Sequence, residues 1–163
     1  MSRNPSSSSL PSSFSIQLAG ERGSLLVSRP GPAVVCVRVA GHGVEDLTEA
    51  LDQELEADMV IQGQLTLFID TRTSGAEILG SPRWALWFRQ HRDRLARVIV
   101  LVAPGFAKST GDLARGFAGL DRKLEVLLEL AAFERARSDA LRSPLISGTW
   151  DRPDDGAPPS PEG

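Results

Sequence analysis

The sequence predicts an α/β domain built on a mixed β-sheet. Three observations carry this. Short runs rich in valine and isoleucine recur at Ala33–Ala40, Gln64–Asp70 and Arg97–Ala103, as buried strands do. Stretches with helical spacing separate them, which implies parallel pairing through right-handed crossovers. Ahead of them lie two shorter extended stretches joined by a turn signal, which adds antiparallel strands at the N-terminal side.

In chain order, Phe14–Leu18 and Ser24–Arg29 read as a hairpin around Gly20-Glu21-Arg22-Gly23. Pro30-Gly31-Pro32 is a second break. The valine strand 33–40 follows and ends at Gly41 and Gly43. Val44–Ile61 reads as an amphipathic helix, with Leu47, Leu51 and Leu55, then Asp58/Met59, at near-fourfold spacing along its core stripe, Ala50 alongside, and Glu45, Glu49, Asp52 and Glu56 elsewhere. Gly63 is its expected C-cap. Gln64–Asp70 is apolar on both sides of Thr66, as expected of a central strand.

Residues 71–80 read as a polar loop, and Ser81-Pro82 as a helix start with serine at the N-cap and proline at the first helical position. This helix runs to about Leu95, with Trp84, Phe88, His91 and Leu95 on one face and Trp87 beside them. The strand Arg97–Ala103 stops at Pro104-Gly105, and a helix is expected over 107–118. Leu124–Leu128 fits either a strand or the front of a longer helix. The regular alternation favours a strand, then a helix from about Ala131 to Leu141. The order is β-β-β-α-β-α-β-α-β-α.

A chain of 163 residues with 41% hydrophobic and 24% charged residues can bury one core. Residues 1–13, rich in serine and proline, and 148–163, acidic and rich in proline, are expected to be disordered tails around a single domain over 14–147. The net charge of −3 sits in the C-terminal tail, where four acidic residues face Arg152. The body is near neutral and has no basic stripe, which disfavours nucleic-acid binding. Apolar runs of five or six residues exclude a membrane-spanning helix. The first 13 residues have no apolar segment of secretory type, and Cys36 is the only cysteine, so a cytoplasmic location is expected.

Four stretches in this order resemble the STAS superfamily, in particular the SpoIIAA-like proteins related to bacterial anti-sigma factor antagonists. They are VVCVRVAG (34–41) followed by an acidic helix, LFID (67–70), WALWFRQHRDRL (84–95) leading into RVIVLV (97–102), and AAFERA (131–136). The resemblance implies a SpoIIAA-like mixed sheet with helices following the later strands. It also implies a protein-interaction role in bacterial signalling. Phosphorylatable relatives carry a serine at the start of the helix after the strand that ends in aspartate. This chain instead has Asp70-Thr71-Arg72-Thr73-Ser74-Gly75 and a helix starting only at Ser81.

The loop over 71–81 is the expected regulatory site, with Asp70, Thr73, Ser74 and Ser81 as its candidate residues. It follows the carboxyl end of a parallel strand, where sites in open α/β sheets gather. A phosphate on Ser81 would meet a helix N-terminus, with Arg72 and Arg83 as partners. The plainer reading is that Ser81 caps its helix and Asp70 braces a turn. Trp84, Trp87 and His91 form a candidate ligand or partner surface, although aromatic residues at helical spacing are more often core.

Other chemistry has little support. His42 and His91 are isolated and no cysteine pair exists, so no metal site is expected. Cys36 within VVCVRV reads as a buried small hydrophobe. Lys108-Ser109-Thr110-Gly111 lacks the order of a phosphate loop. The basic run Arg89 to Arg97 reads as a solvated face. The expected function is therefore a non-catalytic protein-interaction module with a protein partner and no cofactor; a homodimer is compatible with it. The alternative is a small-molecule or lipid-binding domain.

Overall fold

The computed structural model describes residues 14–74, 81–104, 120 and 122–142. Six strands form one sheet: β1 (Phe14–Ala19), β2 (Gly23–Gly31), β3 (Val34–Gly41), β4 (Leu65–Ser74), β5 (Leu95–Leu101) and β6 (Leu124–Leu127). They lie side by side in sequence order. The pairs β1/β2 and β2/β3 are antiparallel, and β3 through β6 are parallel. Three α-helices are described: α1 (Thr48–Gln62), α2 (Pro82–His91) and α3 (Leu130–Arg142). The chain is thus an α/β protein with N-terminal antiparallel strands on a mixed sheet. Among the described residues no helix is long and apolar enough to cross a membrane.

Strand alternation divides the core in two. Leu25, Val27, Val35, Val37, Val39, Leu67, Ile69, Val98 and Val100 point to one face, where they pack with Leu51, Leu55 and Met59 of α1 and Trp84, Trp87 and Phe88 of α2. Val34, Phe68, Ile99 and Leu101 point to the other face and pack under Phe133 of α3. Helices α1 and α2 join successive parallel strands that step in one direction, so crossovers of one hand place both on the same face. Helix α3 follows the last strand and is free of that constraint.

The differences from the sequence reading have local causes. Val44–Leu47 is a 3-10 turn that leads into α1. The strand β4 continues four residues past Asp70, because Thr71 Oγ1 donates to Leu101 O and Thr73 Oγ1 to Val39 O, each at 2.9 Å. Residues 71–74, expected as loop, are therefore strand. The strand β2 runs through Pro30 and Gly31 with a register shift between Ser28 and Gly31, so the break falls after it rather than within it. The helix α2 ends at His91, and one 3-10 turn, Arg92–Arg94, delivers Leu95 straight into β5. At Gly63 the C-cap N–H donates to Met59 O at 2.8 Å, as expected. Leu124–Leu127 is a strand. Arg89, Arg92, Arg94 and Arg97 are exposed, as read. The expected helix over 107–118, the Lys108–Gly111 stretch and both tails lie outside the described residues.

Candidate functional site

Helix α3 crosses the sheet obliquely. Phe133 stands edge-on to Phe68, with ring centroids 5.4 Å apart and planes at 85°. Arg137 lies within hydrogen-bonding reach of Cys36. Leu141 sits so close to the β2–β3 turn that a Cβ on Gly31 would come within 2.6 Å of its Cδ2. This path covers β4–β6 and the amino-terminal end of β3. It leaves a concavity of about 100 Å³ between α3 and the outer strands. Leu26 and Ser28 of β2 and Cys36 and Arg38 of β3 form its floor, Asp70 of β4 its back, and Phe133 and Arg137 its wall.

Its polar centre is the Asp70 carboxylate. Arg72 donates Nε to Oδ1 at 3.0 Å and Nη2 to Oδ2 at 2.8 Å, a bidentate pair, while its backbone N–H donates to Oδ1 at 3.1 Å. Arg38 stands across the ladder from Asp70, with Nε 3.6 Å from Oδ2. Burial on its own would raise the Asp70 pKa. The hydrogen bonds and charge of Arg72, helped by Arg38, outweigh burial and hold the carboxyl below its ordinary value. Among the described residues Arg38 makes this one loose ion pair, and it is 60% exposed, so its guanidinium remains open to solvent. Burial pushes the Cys36 thiol up, against the opposing pull of Arg137 and Ser28. Cys36 is therefore a weak nucleophile here, and it lies half-buried in the cleft floor rather than fully in the core.

The structure separates the other residues singled out in the sequence. Thr73 is exposed beside Arg72; the side chain of Ser74 lies outside the described residues. Ser81 holds the N-cap position, and its carbonyl accepts from Ala85 N at 3.1 Å. Its side chain makes no cap bond: it is 2% exposed, and Oγ has no partner among the described residues. Trp84 and Trp87 are buried against α1 on the opposite face of the sheet, so they are core and not an open ligand surface. His91 stacks on Trp87 with centroids 4.6 Å apart.

Two groupings escape the sequence reading. The first is Arg38, Cys36 and Arg137 around Asp70. Arg38 interrupts a valine run, which is the one visible signal, but the approach of α3 has no signature in sequence. The second joins Asp52 and Glu56 of α1 to His91 of α2, with one ligand atom of each lying within 4.8 Å of the others. The i, i+4 spacing of the two carboxylates is legible; their meeting with His91 depends on how α1 and α2 pack. Comparison of the chain with family models, curated proteins and solved structures gave no match.

Proposed function

We propose that this chain is a non-catalytic interaction domain that receives an acidic side chain of a partner protein in the cleft beside α3. The arginine-flanked cleft carries the reading. Arg38 and Arg137 line a cleft that is apolar at Leu26 and Phe133, and Arg72 is already committed to Asp70. A carboxylate entering there exchanges water for charge-assisted hydrogen bonds. The cleft volume of about 100 Å³ suits one side chain. It falls well below the roughly 300–1,000 Å³ typical of drug-sized ligands, which disfavours the lipid or small-molecule alternative.

Acid–base or nucleophilic catalysis has little support in this cleft. Asp70 is a poor base when its carboxyl is held low by Arg72, and Cys36 is a poor nucleophile when burial raises its thiol. The resemblance to SpoIIAA-like proteins supplies the setting, a bacterial signalling module. Phosphate control belongs to the same proposal, with Thr73 next to Arg72 as the acceptor; the residue is exposed, and its hydroxyl would exchange its bond to Val39 O for the phosphate. A phosphate there adds about −1.5 to −2 charge and competes with the partner for the arginines.

Fluorescence anisotropy with labelled aspartate- and glutamate-rich peptides, set against their asparagine and glutamine counterparts, tests the proposal. The acidic peptides bind, and Arg38→Ala or Arg137→Ala weakens them at least tenfold while Thr73→Asp weakens them less. Equal binding of the neutral peptides, indifference to both arginine changes, or no binding of any acidic peptide overturns it.

A further inference from the structure

On the opposite face of the sheet, α1 and α2 bring three side chains to one point. Asp52 and Glu56 lie one helical turn apart on α1, and His91 is the last residue of α2. His91 Nδ1 lies 2.9 Å from Trp87 O. A carbonyl only accepts, so Nδ1 carries a proton, which leaves Nε2 as the nitrogen able to bind a metal. Nε2 faces Glu56 Oε1 at 3.3 Å and Asp52 Oδ1 at 3.8 Å. Three potential ligand atoms therefore converge.

We propose that Asp52, Glu56 and His91 form a site for a divalent transition-metal cation of the zinc type, which joins α1 to α2. The spacing suits this ion. Ligands about 2.0–2.1 Å from a tetrahedral zinc lie roughly 3.3–3.4 Å from each other. The His91–Glu56 separation matches that edge; the other two edges, bounded by 4.8 Å, close on it when the Asp52 and Glu56 side chains turn inward. The surroundings are those of a metal site. The Nδ1–H of His91 is fixed by a backbone carbonyl, as ligating histidines usually are. Asp52 accepts from the indole Nε1–H of Trp87, which orients its carboxylate. The Trp87 ring stacks on the imidazole and holds its plane. Glu56 is the most exposed of the three, at 55%, which leaves an entry path and room for water as fourth ligand. The site is independent of the α3 cleft.

Zinc chloride titrated against the chelator-treated full chain, in competition with a chromophoric chelator, tests this. One equivalent is expected to bind, and the thermal midpoint to rise with metal concentration. Glu56→Gln changes an exposed side chain and leaves the fold intact; it is expected to weaken binding at least tenfold, and His91→Ala further. His42→Ala and Cys36→Ser leave binding unchanged. The absence of saturable binding by the wild-type chain overturns the proposal. So does binding that survives both Glu56→Gln and His91→Ala, or binding that is lost with His42 or Cys36.

Discussion

Arg29 of β2 donates Nε to both carboxylate oxygens of Asp58 on α1, each at 2.9 Å. Its Nη2 reaches Glu54, one turn earlier on the same helix, at 3.0 Å. One guanidinium thus anchors the second half of α1 to an antiparallel strand. The side chains are largely shielded, so loss of the cation leaves two acids without their partner. Arg29→Met is expected to cost about 1–2 kcal/mol, read as a lower urea midpoint with an unchanged slope. Arg29→Lys recovers only part of this, because an ammonium lacks the fork that spans two carboxylates. A cost equal to that of an exposed surface change would contradict the anchoring role.

The Asp70–Arg72 pair predicts a pH dependence. Asp70 has a lower pKa folded than the roughly 3.9 of an unfolded chain. The folded state then binds fewer protons near pH 4, and stability rises with pH there. The contribution is complete above the unfolded value and is lost as pH falls through the folded one. Asp70→Asn is expected to be less stable than wild type at pH 7, by about 1–2 kcal/mol. The gap should close below about pH 4. Urea unfolding at pH 7, 5 and 3 measures it; a gap that is constant with pH would refute the assignment.

Ser81 separates two accounts of a helix start. A serine whose hydroxyl caps the helix costs ~1 kcal/mol when replaced by alanine. Here the hydroxyl is buried without a partner among the described residues, so Ser81→Ala is expected to be neutral or slightly stabilising. Ser81→Asp places a charge in the same buried position and is expected to cost at least about 2 kcal/mol. Thermal unfolding of the two variants decides between the accounts. It also shows whether a phosphate at this position is compatible with the folded chain.

Gly41 and Gly63 both have positive φ, +79° and +80°. A Cβ on Gly63 meets nothing within 4 Å, whereas one on Gly41 would lie 2.3 Å from Arg22 O. Gly63 has ψ −67°, outside the left-handed helical region, and Gly63→Ala is expected to cost about 1–3 kcal/mol from conformation alone. Gly41→Ala adds a clash between backbones where β3 leaves the hairpin, and is expected to cost more than about 3 kcal/mol. Parallel denaturation of the two variants tests the difference.

Elements with strong local signals were legible in the sequence. The valine run at 34–41 and LTLFID in β4 alternate faces around a fully buried centre, and Gly63 closes α1 as composition suggested. The strand choice at Leu124–Leu127 also holds, because it completes a parallel ladder with β5. The end of β4 was not legible: threonines and a serine look like loop, and only their hydrogen bonds to neighbouring strands extend the ladder. Of the candidate regulatory residues, Asp70 lies in the cleft, Thr73 is exposed at the end of β4, and Ser81 is buried away from solvent. The aromatic pair Trp84 and Trp87 went to the core because α1 packs against α2, and a pairing between helices leaves no periodic trace in either. The cleft and the three-ligand cluster share that origin: each forms where two elements meet.

The strands stand in the sheet in the order in which a ribosome makes them. Each new strand joins an edge that already exists, and none has to slip between two earlier partners. Synthesis also dictates which apolar surface waits longest. Among the described residues, the helix that covers the side of the sheet holding Phe68 and Ile99 is α3, so this side is covered only once α3 has left the tunnel. A nascent chain stalled before Leu130 would therefore display that patch, with β6 as a bare edge beside it, to chaperones and to other unfinished copies.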